Sequence, residues 1–127
     1  MIVACHQPNY IPWPGYFAKA STCDIFVLLD SVQFPRGASF VNRNRIKAPS
    51  GKSLWLTVPV KKKGRGLQSI GEILINNETN WRRKHELSLI HAYSRAPYFR
   101  DHFEFLVEIY SKDWVRLLDL NRTIVEY

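Results

Sequence analysis

Five residues near the amino terminus, His6-Gln7-Pro8-Asn9-Tyr10, put an imidazole, two amides and a phenol side by side. An imidazole titrates near neutral pH, so His6 is placed to ligate a phosphate or to act as a general base. Gln7, Asn9 and Tyr10 supply the donors and acceptors that orient a bound molecule. A second chemical group is Asp30, in Asp30-Ser31-Val32-Gln33-Phe34, whose carboxylate could hold a sugar hydroxyl or serve as a base. A third is Asn42-Arg43-Asn44-Arg45-Ile46-Lys47. Strand alternation there sets Arg43, Arg45 and Lys47 on one side and Asn42, Asn44 and Ile46 on the other. A row of guanidiniums suits bidentate binding of phosphate or carboxylate, so Arg43 and Arg45 are read as a phosphate clamp.

Charge supports an anionic ligand. Lys plus Arg is 18 against 11 Asp plus Glu, a net charge of +7 over 127 residues. From Ser31 to Gly71 there is no acidic residue, while Arg36, Arg43, Arg45, Lys47, Lys52, Lys61, Lys62, Lys63 and Arg65 all fall inside that stretch. Such a surplus favours nucleotides, sugar phosphates, lipid headgroups or nucleic acid. Lys61-Lys62-Lys63-Gly64-Arg65-Gly66 reads first as a solvated loop, one whose glycines would let it close over a ligand. Phe34, Phe40 and Trp55 are interleaved with these bases, a pattern that also fits a nucleic-acid-binding module. Trp55 argues against that alternative, because it lies in the apolar run Leu54-Trp55-Leu56-Thr57-Val58 and reads as core.

Some chemistries are disfavoured. Cys5 and Cys23 are too few for a disulfide scaffold, lack metal spacing, and read as buried free thiols. His85 and His91 do not share a helix face, so no metal site is expected. Neither a nucleophile elbow nor a glycine-rich phosphate loop is present. The start of the chain lacks the pattern of a secretory leader, and no apolar run reaches the ~20 residues of a membrane span, which together read as a cytoplasmic protein.

The elements that must position these residues follow from their patterning. Ile2–Cys5 is a short apolar strand, and three prolines between Pro8 and Pro14 stiffen the loop after it. A helix is expected over 15–22, with Phe17 and Ala20 or Ser21 inward. Asp24–Asp30 is near-continuously apolar, as in a parallel strand covered on both faces. Together these make a βαβ unit that carries His6 and Asp30 to the same carboxyl edge, where open α/β sheets bind ligands. The basic middle reads as strands and turns, with Pro49-Ser50-Gly51-Lys52 a turn and Ile73–Ile75 a short strand. Three helices follow: Trp81 to Tyr93 with Trp81, His85 and Leu89 inward; one from Pro97 with Phe99, Phe103, Leu106 and Tyr110 inward; and one from Asp113 with Trp114, Leu117, Leu118, Ile124 and Val125 inward. The fold class expected is α/β, a single domain over 1–127 with a partly parallel sheet. The last helix stops with its apolar pattern still running and no cap, as though the chain normally continues.

The motifs now quoted resemble the WbqC-like protein family. His6-Gln7-Pro8-Asn9-Tyr10-Ile11-Pro12-Trp13-Pro14-Gly15-Tyr16-Phe17 looks like its opening signature. The likeness continues through Gln33-Phe34, Asn42–Lys47, Trp55–Val60, Trp81–His85 and Ala96-Pro97-Tyr98-Phe99. The resemblance implies a bacterial role in O-antigen or other surface-polysaccharide synthesis, with transfer of an amino-acid unit such as glycine. It also implies a longer architecture than this chain has. The substrate would be a nucleotide sugar or an activated amino acid; the resemblance leaves the cofactor open. A fainter similarity, to nucleotidylyltransferase-type domains, lacks both histidines of their signature, since Trp13-Pro14-Gly15-Tyr16 stands there. Nucleotide-like phosphate binding is what it leaves.

Overall fold

The computed structural model describes all residues, 1–127. The chain opens with β1 (Val3–His6), crosses through α1 (Pro14–Ser21) and returns as β2 (Ile25–Leu28). β1 and β2 are parallel, with Val3 opposite Ile25 and His6 opposite Leu28. Pro14 opens α1 because a first-turn residue needs no amide hydrogen. α1 covers one face of this small sheet through Tyr16 rather than Phe17, its ring 5.3 Å from Phe26 and 4.7 Å from His6. Both faces of β2 were expected to be covered, and only one is: Val3, Ile25 and Val27 remain exposed on the other, as does Cys5. The apolar run is there, but the chain after Asp30 leaves to build the next sheet and sends nothing back across it.

That next sheet is an antiparallel hairpin of β3 (Arg43–Lys47) and β4 (Ser53–Thr57). Its turn is closed by Gly51 N–H to Ala48 carbonyl, with Gly51 at φ 85°, a conformation glycine adopts without strain. Leu56 and Val58 point inward with Asn42, Asn44 and Ile46. Residues 73–75 form isolated bridges to Val60 and Arg116 instead of a strand, and Ser39–Val41 forms none. A single 3-10 turn, Ile70–Glu72, carries a reciprocal cap between Ser69 and Glu72.

The helices are α2 (Trp81–Tyr93), α3 (Phe99–Ser111) and α4 (Leu117–Glu126). The inward face of α2 is as the spacing requires, with Trp81, His85 and Leu89 buried. On α3, Ile109 and Tyr110 are buried while Phe103 is not. α4 starts four residues later than expected and buries Leu120 and Asn121 with Leu117 and Leu118. The hairpin, the 3-10 turn and these helices share one core that also receives Tyr10 and Phe34. No helix is long and apolar enough to cross a membrane.

Candidate functional site

The loop after β1 is held from below by asparagine side chains. Asn44 Nδ2 donates to the carbonyls of Tyr10 (3.3 Å) and Ile11 (2.7 Å). Asn121 Nδ2 donates to Pro8 (3.2 Å) and Val41 (2.7 Å) carbonyls. Ile11 sits at φ 44°, where a β-branched residue is strained, and these bonds hold it there. The prolines and this clamp give the loop one shape.

His6 and Asp30 lie at the same carboxyl edge, as the βαβ reading requires. Leu28 is opposite His6, and the Leu29 amide donates to the His6 carbonyl at 2.9 Å. Burial, aided by the Lys19 ammonium, holds His6 below the usual imidazole pKa. The ring is therefore neutral at pH 7, a base rather than a cation. Its buried Nδ1 has no hydrogen-bond partner. Asp30 is exposed, and its backbone carbonyl accepts from the Gly71 amide. Gln7 is half-buried, its carbonyl accepting from the Tyr16 hydroxyl.

Two residues of the expected substrate set are placed elsewhere. Tyr10 is fully buried, its hydroxyl 2.7 Å from His85 Nδ1 and bonded to the Tyr110 hydroxyl. It anchors the loop to the helices and offers nothing to a ligand, because its ring gains by burial and its hydroxyl finds partners inside the core. Asn9 is buried beside it. Arg43 and Arg45 do point outward, but not as a free clamp. The Arg43 guanidinium lies 3.8 Å over the Trp55 ring and that of Arg45 5.9 Å from it. No hydrogen bond or ion pair joins these arginines to His6 or Asp30, so the single convergent cleft expected from topology is not formed by direct contact.

The larger openings lie in the acid-free middle. One, of about 340 Å3, is walled by Phe34, Arg36, Lys62, Gly66, Leu67 and Gln68, among others. The Lys62 ammonium stands 5.4 Å over the Phe34 ring. Lys62 also belongs to a wider depression of about 500 Å3, lined as well by Lys61, Lys63, Arg65 and Glu78. The ion pairs show what these bases lack. All five join residues between Arg82 and Glu126, and none involves a residue of 31–71. Arg36 and Lys62 were legible as members of the basic run; that the loop of lysines walls a cavity with Phe34 was not. Trp55, read as core, is 42% exposed, because β4 turns Leu56 inward and its neighbours outward.

The model of the WbqC-like protein family matches residues 7–127, nearly the whole chain. The chain belongs to that family. The matched WbqC-like span includes the proline loop, the hairpin and the three long helices. A relative, the uncharacterized protein Rv1507c of Mycobacterium tuberculosis, is 40% identical over 124 residues, covering 97% of this chain and 52% of the relative. The chain spans about half the length of that curated relative. No solved structure matches.

Proposed function

We propose that this WbqC-like chain is the substrate-binding part of a transferase in bacterial surface-polysaccharide synthesis. Its ligand is anionic and phosphate-bearing, a nucleotide sugar or an activated amino acid. The observation that supports this best is the set of nine basic residues between Arg36 and Arg65, none within ion-pair distance of a carboxylate. Cations that no carboxylate neutralises, lining a cavity of about 340 Å3, are what a phosphate needs. Arg36 and Lys62 hold the phosphate, with Arg43 and Arg45 lending charge from the hairpin. His6, neutral at pH 7, is the group that takes a proton from the acceptor, and Asp30 at the same edge binds a hydroxyl. Transfer of an amino-acid unit is the reaction that the family likeness favours.

Thermal unfolding with pyrophosphate, ATP and UDP-glucose tests the reading. A ligand at a hundredfold its dissociation constant raises stability by about 2.7 kcal/mol. A shift that disappears in the Arg36→Ala/Lys62→Ala variant is expected; no shift with any phosphate compound sinks the idea. One observation favours a second reading, a nucleic-acid-binding face: Trp55 and Phe40 are half-exposed beside the arginines. Its mark is an oligonucleotide affinity that falls steeply with salt.

A further inference from the structure

The hairpin carries a smaller cavity of another kind. It measures about 60 Å3 and is lined by Ala38, Ser39, Phe40, Arg43 and Trp55. Its two aromatic rings are 6.0 Å apart and tilted by 34°. Phe40 is 50% exposed. Neither ring is required by the core, which this region fills with Val41, Leu56 and Val58. The Arg43 guanidinium carbon lies over Trp55, 3.8 Å from its ring centroid. A guanidinium backed by an indole is a charged, planar layer on which flat heteroaromatic rings stack. Ser39 Oγ accepts from the Val41 amide, which leaves the hydroxyl hydrogen to be donated at the cavity wall.

The small cavity and the larger one read as the phosphate site have lining residues two apart in the chain. Arg36 lines the larger opening and Ala38 the smaller. Two residues of chain span at most about 7 Å. A ligand with a ring at one end and phosphates at the other can therefore reach both.

We propose that the two cavities take one nucleotide, its base stacked on the Arg43–Trp55 layer beside Phe40 and its phosphates directed to Arg36 and Lys62. This rests on the reading of the basic middle as a phosphate site and adds the base to it. A single nucleotide fits better than a strand. Strand binding needs successive stacking platforms, whereas the other outward residues of the hairpin are Arg45, Lys47, Ser53 and Thr57, none of them aromatic.

The test is calorimetric titration of the 127-residue chain with pyrophosphate, with ADP and UDP, and with a ten-nucleotide single strand. The nucleoside diphosphates should bind roughly ten- to a hundredfold more tightly than pyrophosphate, the range of one stacked base. Trp55→Leu should erase most of that advantage and leave pyrophosphate affinity within about twofold, and Arg43→Lys should likewise lower the ratio of nucleoside diphosphate to pyrophosphate affinity. Arg43→Lys keeps the charge and removes only the plane, so it serves if Trp55→Leu unfolds. Arg36→Ala/Lys62→Ala should weaken both ligand types. Nucleoside diphosphates no tighter than pyrophosphate, or an advantage that survives both hairpin variants, would overturn the base site and leave the phosphate reading standing. Pyrophosphate that does not bind at all overturns the phosphate reading as well. A strand that binds more tightly than ADP and UDP, with a steep salt slope, replaces the nucleotide by nucleic acid.

Discussion

Tyr10, His85 and Tyr110 meet in the core from positions 75 and 100 residues apart along the chain. Tyr10 donates to His85 Nδ1, which requires the other ring nitrogen to carry the proton, and that nitrogen faces the Thr57 carbonyl. Tyr110 then donates to Tyr10. Every polar atom has a partner, so the cluster adds specificity without an unpaired buried group. Tyr10→Phe removes the central hydroxyl and strands two buried neighbours. It should cost about 1–3 kcal/mol in chemical denaturation. Burial pushes the His85 pKa down to about 4, against the smaller opposing pull of the Thr57 carbonyl. The unfolded ring titrates near 6.5, so above that pH both states are neutral and His85 has no effect. As pH falls below 6.5 the unfolded state takes the proton and the folded state refuses it, so stability is lost progressively down to about pH 4. Between pH 7 and pH 5 the loss from this residue is about 2 kcal/mol. Urea midpoints at the two pH values should therefore differ less in His85→Gln than in the parent; equal differences would refute the assignment. The inward place of His85 was legible in helical spacing. Its partners were not, because no local pattern relates residues so far apart.

At the scale of elements, the alternation of Asn42–Lys47 was legible and its physical meaning was not. Three arginine and lysine side chains on one strand face drew attention to that face, yet the asparagines on the other do the structural work. Asn42 Nδ2 bonds the Val58 carbonyl, and Asn44 bonds two carbonyls of the proline loop. Asn44→Ala should cost about 1–3 kcal/mol, since it strands buried carbonyls. It should also release Ile11 from its left-handed backbone, visible as faster amide exchange at Tyr10, Ile11 and Trp13. Trp55 misled for a related reason. An apolar strand run does not say which residues face in, and the hairpin register decides it: Trp55 pairs with Arg45 on the outward side, while Leu56 pairs with buried Asn44. Arg82 and Arg83 stand in the first turn of α2, where cations oppose the helix dipole. Arg82 is there to close the end of α3, its guanidinium bonding the Ser111 and Lys112 carbonyls and pairing with Asp113 at 2.6 Å. Carbonyls exposed at one helix terminus thus take up the charge that the other terminus rejects.

Across the whole molecule, two bodies of unequal solidity are joined by two chain segments. The larger joins the hairpin, the 3-10 turn and the three long helices around fifteen buried apolar residues. The smaller, β1–α1–β2, contributes Tyr16 as its own buried residue and is tied to the larger through residues 7–12 and 29–34. Its open face leaves Val3, Ile25 and Val27 in water, which removes the apolar burial that a parallel pair ordinarily depends on. The βαβ connection was legible because it is local in sequence; the bare face was not, because coverage depends on where later segments travel. Stability should accordingly be graded. Amides of Val3–His6 and Ile25–Leu28 should exchange through local opening at a free energy below that of global unfolding, while Leu56, Val58 and Leu89 should exchange only with the global event. Native-state hydrogen exchange across a denaturant series checks this. The β1–β2 amides should show a shallower dependence on denaturant than those of the larger core, merging with them only near the midpoint. The same opening would displace His6 and Asp30 together while Arg36, Lys62 and Trp55 stay in place. A phosphate ligand held by the larger body alone should therefore protect the hairpin and the Lys61–Gly66 loop and leave β1–β2 exchange unchanged, whereas a ligand that also engages His6 should slow β1–β2 exchange in proportion to its concentration above the dissociation constant.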